Sequence, residues 1–371
     1  MDKKHYDFLV VGCGIFGAVF VHEAIKKGKT CLIIERRNHI GGNVYTELID
    51  GINVHKYGPH IFHTSKKHIW NYVNTITPFN NYINEPLAFY RGKYYNLPFN
   101  MNTFFQLWGV TNKSDAQSIL SVQTIMPKSG VPANLEEQAL MMVGQDIYNI
   151  LIKGYTEKQW GRPCNELPAD IIKRIPIRFT YNNNYFDDTY QGIPAMGYTV
   201  LIEKLIEGAD IVLNKDFIAN KGDYLKVADV TVYTGSIDEF FDYRLGNLEY
   251  RSLRFEEEKV TMRKFQRSAV INYTDSTIPY TRIVEHKLFD SHCKTKSSTI
   301  ITREYSAPFT KNTEPYYPVN SERNNELYRQ YVELAKTYPN VYFKGRLGSY
   351  KYYNMDRVVE EALAFANEII E

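Results

Sequence analysis

The stretch "YDFLVVGCGIFGAVFVHEAIKKGKTCLIIE" (residues 6–35) constrains the fold of this chain more than any other. "YDFLVV" is a continuous apolar run, the pattern of a parallel strand buried on both faces. "AVFVHEAIKKG" has helical character and stops at a glycine, and "TCLIIE" reads as the next strand. Between the first strand and the helix, Gly12, Gly14 and Gly17 spell GxGxxG. Gly12 permits a tight turn, Gly14 lets a pyrophosphate approach the backbone, and Gly17 allows close helix–strand packing. The helix amino terminus offers phosphate its free N–H groups and the positive end of its dipole. Glu35, ending the second strand, is placed to accept hydrogen bonds from ribose hydroxyls. A glycine pattern alone is a weak signal. Strand, helix and acid in this order make it a dinucleotide fingerprint.

At 371 residues the chain exceeds one typical domain. An apolar content of 44% with 23% charged residues implies a globular protein with ample core. The 44 basic and 42 acidic residues leave a net charge of +2, which argues against a general polyanion surface and so against nucleic acid as partner. Cys13, Cys31, Cys164 and Cys293 form no CxxC pair and no Cys/His metal spacing. They read as free thiols of a reducing compartment, with no metal site. The start has the basic-then-apolar texture of a signal peptide, but its glycines fall at functional spacing and "HEAIKKGK" stands where a cleavage site would. No apolar run reaches the roughly 18 residues of a membrane span. A cytoplasmic protein is expected.

Farther along, residues 78–178 carry helical patterns such as "NLEEQALMMVGQDIYNILIKG". Short β-rich runs follow, including "SAVINYT", "YTRIVEHK" and "STIITREY". "DVTVYTGS" again reads as a buried strand. At the end, Met355, Val358, Val359, Ala362, Leu363, Ala366, Ile369 and Ile370 repeat with helical period. The expected fold is α/β: a Rossmann-like dinucleotide-binding domain, with an inserted helical domain and an antiparallel β-sheet domain. The boundaries assigned are 1–77, 196–245 and 316–371 for the first, 78–178 for the helical domain, and 179–195 with 246–315 for the sheet.

The acid-ended strand continues as "ERRNHIGGN", an arrangement that resembles the extended fingerprint of FAD-binding, amine-oxidase-like proteins. Further motifs are "HKYGPHIFHT" (55–64), "NLPFNMNTF" (96–104), "KGYTEKQWGR" (153–162), "IIKRIPIRFTYNNNYF" (171–186), "YQGIP" (190–194), "EYRSLRFE" (249–256), "PYTRIVEHK" (279–287) and "EPYYPVN" (314–320). In this order, through essentially the whole chain, they resemble the bacterial UDP-galactopyranose mutases. The resemblance implies a homodimeric flavoenzyme that interconverts UDP-galactopyranose and UDP-galactofuranose without net redox change. In that family FAD must be reduced, and its N5 attacks the anomeric carbon of the sugar.

Carried over by motif, Gly12, Gly14, Phe16, Gly17, Glu35, Gly42, Asn43, His60, Ile61, Arg346 and Met355 would line the FAD site. His60 would sit at the flavin ring. A helix amino terminus near Met355, with Arg346, would stabilise negative charge on the reduced ring. Arg174, on a segment the family uses as a mobile lid, and Arg282 would bind the diphosphate, where guanidinium gives bidentate contacts. Tyr185, Tyr317 and Tyr352 match positions around the diphosphate and sugar. Asn84, Leu151, Thr156 and Asn272 match uridine or substrate contacts, and Arg251 is assigned to pairing with substrate or organising the site. In "KGYTEKQWGR", Tyr155 would be a flat platform for uracil, and Trp160 would point elsewhere, nearer sugar and lid. The stretch should end a helix, with Gly154 and Gly161 leaving room for chain or ligand.

Three positions depart from the family pattern. Asn354 stands where the family commonly has an aspartate, Met196 where a glycine is usual, and Ser236 where a proline is. Two other activities fit parts of the pattern: a mutase acting on UDP-N-acetylgalactosamine, and a flavin oxidoreductase of the amine-oxidase type.

Overall fold

A computed structural model describes residues 5–173, 175–293, 296–311 and 313–370. The chain divides into two compact units. Met1–Asn81, Asp188–Tyr250 and Pro315–Glu371 form the first; Tyr82–Asp187 and Arg251–Glu314 form the second.

The first unit is built on a five-stranded parallel sheet in the order Val341–Phe343, Ala228–Tyr233, Tyr6–Val11, Cys31–Ile34, Asp210–Val212. The apolar run "YDFLVV" lies at its centre, and Leu9 and Val10 are wholly buried. The helix Ile15–Lys26 packs against the terminal helix Met355–Ile369, with the Phe20 and Phe365 rings 5.5 Å apart. Of the periodic residues in that terminal helix, Val359, Ala362 and Ala366 are buried, as the spacing predicts.

The second unit combines helices with a sheet. Strands Tyr250–Val260, Thr299–Pro308, Arg282–Glu285, Val270–Tyr273, Leu87–Tyr90 and Lys93–Asn96 follow one another across it. The pairing is antiparallel except between Val270–Tyr273 and Leu87–Tyr90, which run parallel. The division expected between a helical and a sheet domain is therefore different here. The hairpin Leu87–Asn96, inside the helical stretch, supplies strands to the sheet. Its Ala88 and Tyr95 share one core with Phe104, Ala139 and Ile147 from the helices. Segment 188–195 also moves, because Tyr190–Gly192 pairs with Phe62–Thr64 and Tyr190 stacks on Trp70 in the first unit.

The long helical pattern "NLEEQALMMVGQDIYNILIKG" is broken. Leu135–Ile147 kinks at Gly144, and a π-helical segment, Tyr148–Lys153, leads into the helix Gly154–Trp160. A Cβ at Gly144 would lie 2.7 Å from Gln123 Cβ, so the kink seats a neighbouring helix. Asp146 N–H donates to Gln123 Oε1 at 2.9 Å on the same seam. Among the described residues no helix is long and apolar enough to cross a membrane. No group of three or more His, Cys, Asp or Glu side chains among them could hold a metal ion.

Candidate active site

In the first unit the fingerprint turn has the geometry its glycines predict. Gly12 adopts φ +97°, in the left-handed region, and its N–H donates to Ile34 O at 2.9 Å. A Cβ at Gly17 would overlap the Gly12 carbonyl oxygen and reach 3.0 Å from Val10 Cγ1, so helix and strand touch there. Gly14 is the reverse case. It is the N-cap of the helix, caps it with no side chain, and has open space where a Cβ would stand. That bare, uncapped terminus is a cradle suited to phosphate.

The Glu35 carboxylate is buried and ties the turn together. Oε2 accepts the Cys13 N–H and Oε1 the Arg37 N–H, both at 2.9 Å. Arg37 reaches Asn43 Oδ1 at 2.9 Å and covers the Tyr57 ring at 4.4 Å. The pair Gly41–Gly42 folds back on the fingerprint: Gly41 N–H donates to Cys13 O at 2.8 Å, and a Cβ at Gly42 would lie 3.1 Å from Gly14 Cα. Phe16 is buried beside Gly345, whose Cβ would meet its side chain at 3.5 Å, so the turn carrying Arg346 sits next to the glycine loop. The residues present fit an adenine dinucleotide.

The "HKYGPHIFHT" stretch is held by local bonds. The His60 ring Nδ1 lies 2.8 Å from Gly58 O, and His60 N–H donates to His55 Nδ1 at 3.2 Å. Ile61 is buried. Thr64 Oγ1 donates to Asp356 Oδ2 at 3.1 Å, which fastens this stretch to the first turn of the helix that begins at Met355. Asn354 is the N-cap of that helix and makes no side-chain cap bond. Tyr317 and Tyr352 also belong to this unit, with ring centroids 5.7 Å apart. Cys13 and Cys31 are buried free thiols, and burial pushes both up to about 12, so neither is a nucleophile near neutral pH.

The remaining site residues belong to the second unit. Asn272 and Arg282 face each other in register on adjacent strands. Arg282 Nη2 donates to Glu304 Oε1 at 2.8 Å, and Glu304 is wholly buried. Asn272 Oδ1 is a buried acceptor with no protein hydrogen bond among the described residues. The helix Gly154–Trp160 ends at Gly161, which takes φ +67° as its C-cap. Thr156 and Leu151 are buried, while Tyr155 is half-buried. Trp160 is half-buried and packs against the helical core.

Arg251 is spent on structure. Its Nε donates to Gln159 O at 3.2 Å and its Nη2 to Ser306 Oγ at 2.8 Å. A Cβ at Gly161 would reach 2.9 Å from its Nη1, so Arg251 braces the end of the Tyr155 helix. Asn84 and Tyr185 are brought together, since Tyr185 N–H donates to Asn84 O at 2.8 Å. Arg174 lies outside the described residues. Two residues of this half escaped the sequence reading. Glu304 is signalled by an acid on the buried face of "TIITREY", and Lys158 by its four-residue spacing from Gly154.

Residues 150–352 match the family model described as UDP-galactopyranose mutase, and residues 10–76 match that of an NAD(P)-binding Rossmann-like domain. A probable UDP-galactopyranose mutase of Klebsiella pneumoniae is 39% identical, covering 100% of this chain and 96% of its own. A dTDP-fucopyranose mutase of Escherichia coli is 37% identical, covering 98% of each. The fold matches a crystal structure of reduced UDP-galactopyranose mutase with TM-score 0.74 at 14% identity, over 98% of this chain and 94% of the other. Putrescine oxidase matches with TM-score 0.59 at 11% identity, over 98% and 99%, a likeness of fold alone.

Proposed function

Because the chain belongs to the UDP-galactopyranose mutase family, we propose that it interconverts UDP-galactopyranose and UDP-galactofuranose using reduced FAD. One observation carries the reading: a match at 39% identity to a probable UDP-galactopyranose mutase, over 100% of this chain and 96% of that protein. When bound and reduced, FAD supplies N5 as the nucleophile that displaces UDP from the anomeric carbon, with no net redox change.

The chain's own residues have definite tasks in this reading. Glu35 accepts from the adenosine ribose, and the helix terminus at Gly14 meets the pyrophosphate. Gly12, Gly17, Gly42 and Asn43 shape that loop, and Phe16, His60, Ile61, Arg346 and Met355 line the flavin. Arg346 and the helix terminus at Met355 stabilise negative charge. Tyr155 stacks on uracil, with Asn84, Leu151, Thr156 and Asn272 around the nucleotide. Arg174 and Arg282 hold the diphosphate, and Tyr185, Tyr317, Tyr352 and Trp160 contact the sugar end. Binding energy from UDP thereby orients the sugar for attack. Arg251 acts through the helix end it braces. The protein works in this reading as a cytoplasmic homodimer.

A second reading, a dTDP-fucopyranose mutase, is favoured by the relative at 37% identity. Purified enzyme with dithionite-reduced FAD, offered UDP-galactofuranose, UDP-N-acetylgalactosamine and the dTDP-fucose pair in separate assays, decides between them. Turnover of UDP-galactofuranose only when the flavin is reduced is expected. Equal turnover with stably oxidised FAD, or turnover of the dTDP-sugar alone, would sink the first reading.

A further inference from the structure

We infer that Lys158 is a positioning residue for nucleotide binding: its ammonium clasps the turn that connects Asn272 to Arg282 onto the helix that carries Tyr155 and Thr156. The inference deepens the proposed function and rests on it.

The Lys158 Nζ donates to four main-chain carbonyls: Tyr273 O at 2.6 Å, Asp275 O at 2.8 Å, Ile278 O at 3.0 Å and Tyr280 O at 3.1 Å. Tyr273 ends the strand Val270–Tyr273, and the other three belong to the turn between it and the strand Arg282–Glu285. An ammonium has three N–H donors, so at least one is shared between two oxygens. No other side chain both reaches this far and presents that many donors from one atom. The Asp275 carboxylate takes no direct part. Its Oδ1 accepts the Thr277 N–H and hydroxyl at 2.9 Å, and its Oδ2 lies 3.5 Å from Arg91 Nε.

Two further contacts join the same turn to the same helical segment. A Cβ at Gly154 would overlap Thr274 O, so helix and turn meet backbone to backbone there. Thr274 Oγ1 donates to Ile150 O at 2.7 Å. Residues 150, 154 and 158, spaced by four, therefore form one seam along the turn, with Lys158 as its last fastening. Tyr155 and Thr156 lie between the second and third fastenings on the helix. Arg282 opens the strand that follows the turn, Asn272 is the next-to-last residue of the strand that leads into it, and the two face each other in register. A slide of the helix along the seam changes the distance between the uracil platform and the diphosphate arginine. Gly154 and Thr274 hold the seam at contact distance, while Lys158 fixes its far end.

The test measures UDP affinity by calorimetry on flavin-loaded wild-type, Lys158→Met and Lys158→Gln proteins, with KM and kcat for the sugar nucleotide. Lys158→Met is expected to raise the UDP Kd and the KM about tenfold or more, with kcat at saturation changed by less than about threefold. Lys158→Gln, which keeps two N–H donors, should fall between it and wild type. Should Lys158→Met fail to fold, Thr274→Val loosens the same seam with Lys158 intact, and is expected to raise the Kd about two- to threefold. A purely structural lysine would give unchanged Kd and KM in the folded fraction, with kcat scaling to the amount folded, and would overturn the inference. Failure of the wild-type protein to bind UDP would instead overturn the proposed function.

Discussion

Two alanine substitutions, one turn of helix apart, separate the folding task of the fingerprint from its binding task. At Gly17 an added Cβ would stand 2.4 Å from the Gly12 carbonyl oxygen. Ordinary contact needs about 1 Å more, and the neighbour is backbone, so the helix must lift off the strand. Overpacking of this kind costs about 1–3 kcal/mol, against about 1 kcal/mol gained because alanine is the better helix former. Because the neighbour is backbone the cost lies near the upper end of that range, and the net loss of about 2 kcal/mol lowers the Tm by roughly 3 °C in a chain of 371 residues. At Gly14 the added Cβ meets nothing, and φ −85° with ψ −173° suits alanine. The gain from a less flexible unfolded chain and the cost of a poorer N-cap nearly cancel, leaving stability within about 0.5 kcal/mol. The same methyl occupies the surface where the pyrophosphate must approach, and a loss of about 100-fold in flavin affinity, about 2.7 kcal/mol, is expected. The assay measures flavin-to-protein ratio by absorbance and the Tm of the flavin-free proteins. Gly14→Ala should be colourless and as stable as wild type; Gly17→Ala should melt early. Full flavin occupancy of Gly14→Ala at wild-type affinity would refute the placement of the phosphate. A wild-type Tm for Gly17→Ala would refute the packing argument.

Three further outcomes are expected. Tyr155→Ala should raise the UDP Kd about tenfold, within the 1–3 kcal/mol of base stacking, with a Tm close to wild type because the ring is half-buried; a Kd equal to wild type ends its role as a platform. Arg282→Ala strands the buried Glu304 carboxylate and should destabilise the protein by about 3–5 kcal/mol, whereas Arg282→Lys keeps a cation there but loses the fork, so it should stay folded with KM raised about tenfold. Equal melting of the two variants would show that the Glu304 pair does not govern the fold. Burial raises the Asp238 carboxyl above its ordinary value, opposed by the Leu248 N–H that it accepts at 2.9 Å. Its contribution to stability is therefore full below the unfolded pKa and declines as pH rises through the folded one. Asp238→Asn should gain Tm over wild type progressively as pH is raised from acid to neutral, and a difference that shrinks over that range would contradict the assignment.

The sequence by itself determined the dinucleotide half of this protein. The signals there are local: a strand, a turn that requires glycine at Gly12, and a helix read within thirty or so residues. Glu35 was legible because strand length and the pleat fix where the end of the second strand lies. The nucleotide-sugar half was legible only as a series of resembling motifs, since Tyr155, Asn272 and Arg282 are brought together by strand register and helix packing. The break at Gly144 was invisible to periodicity, because what it accommodates is the contact with Gln123, on a different helix. Arg251 reads in sequence as either a partner for substrate or an organiser of the site; tertiary structure engages it with Gln159 O and Ser306. Lys158 and Glu304 were missed for the same reason. Their partners lie far away along the chain, and a charge acquires its meaning from what surrounds it after folding.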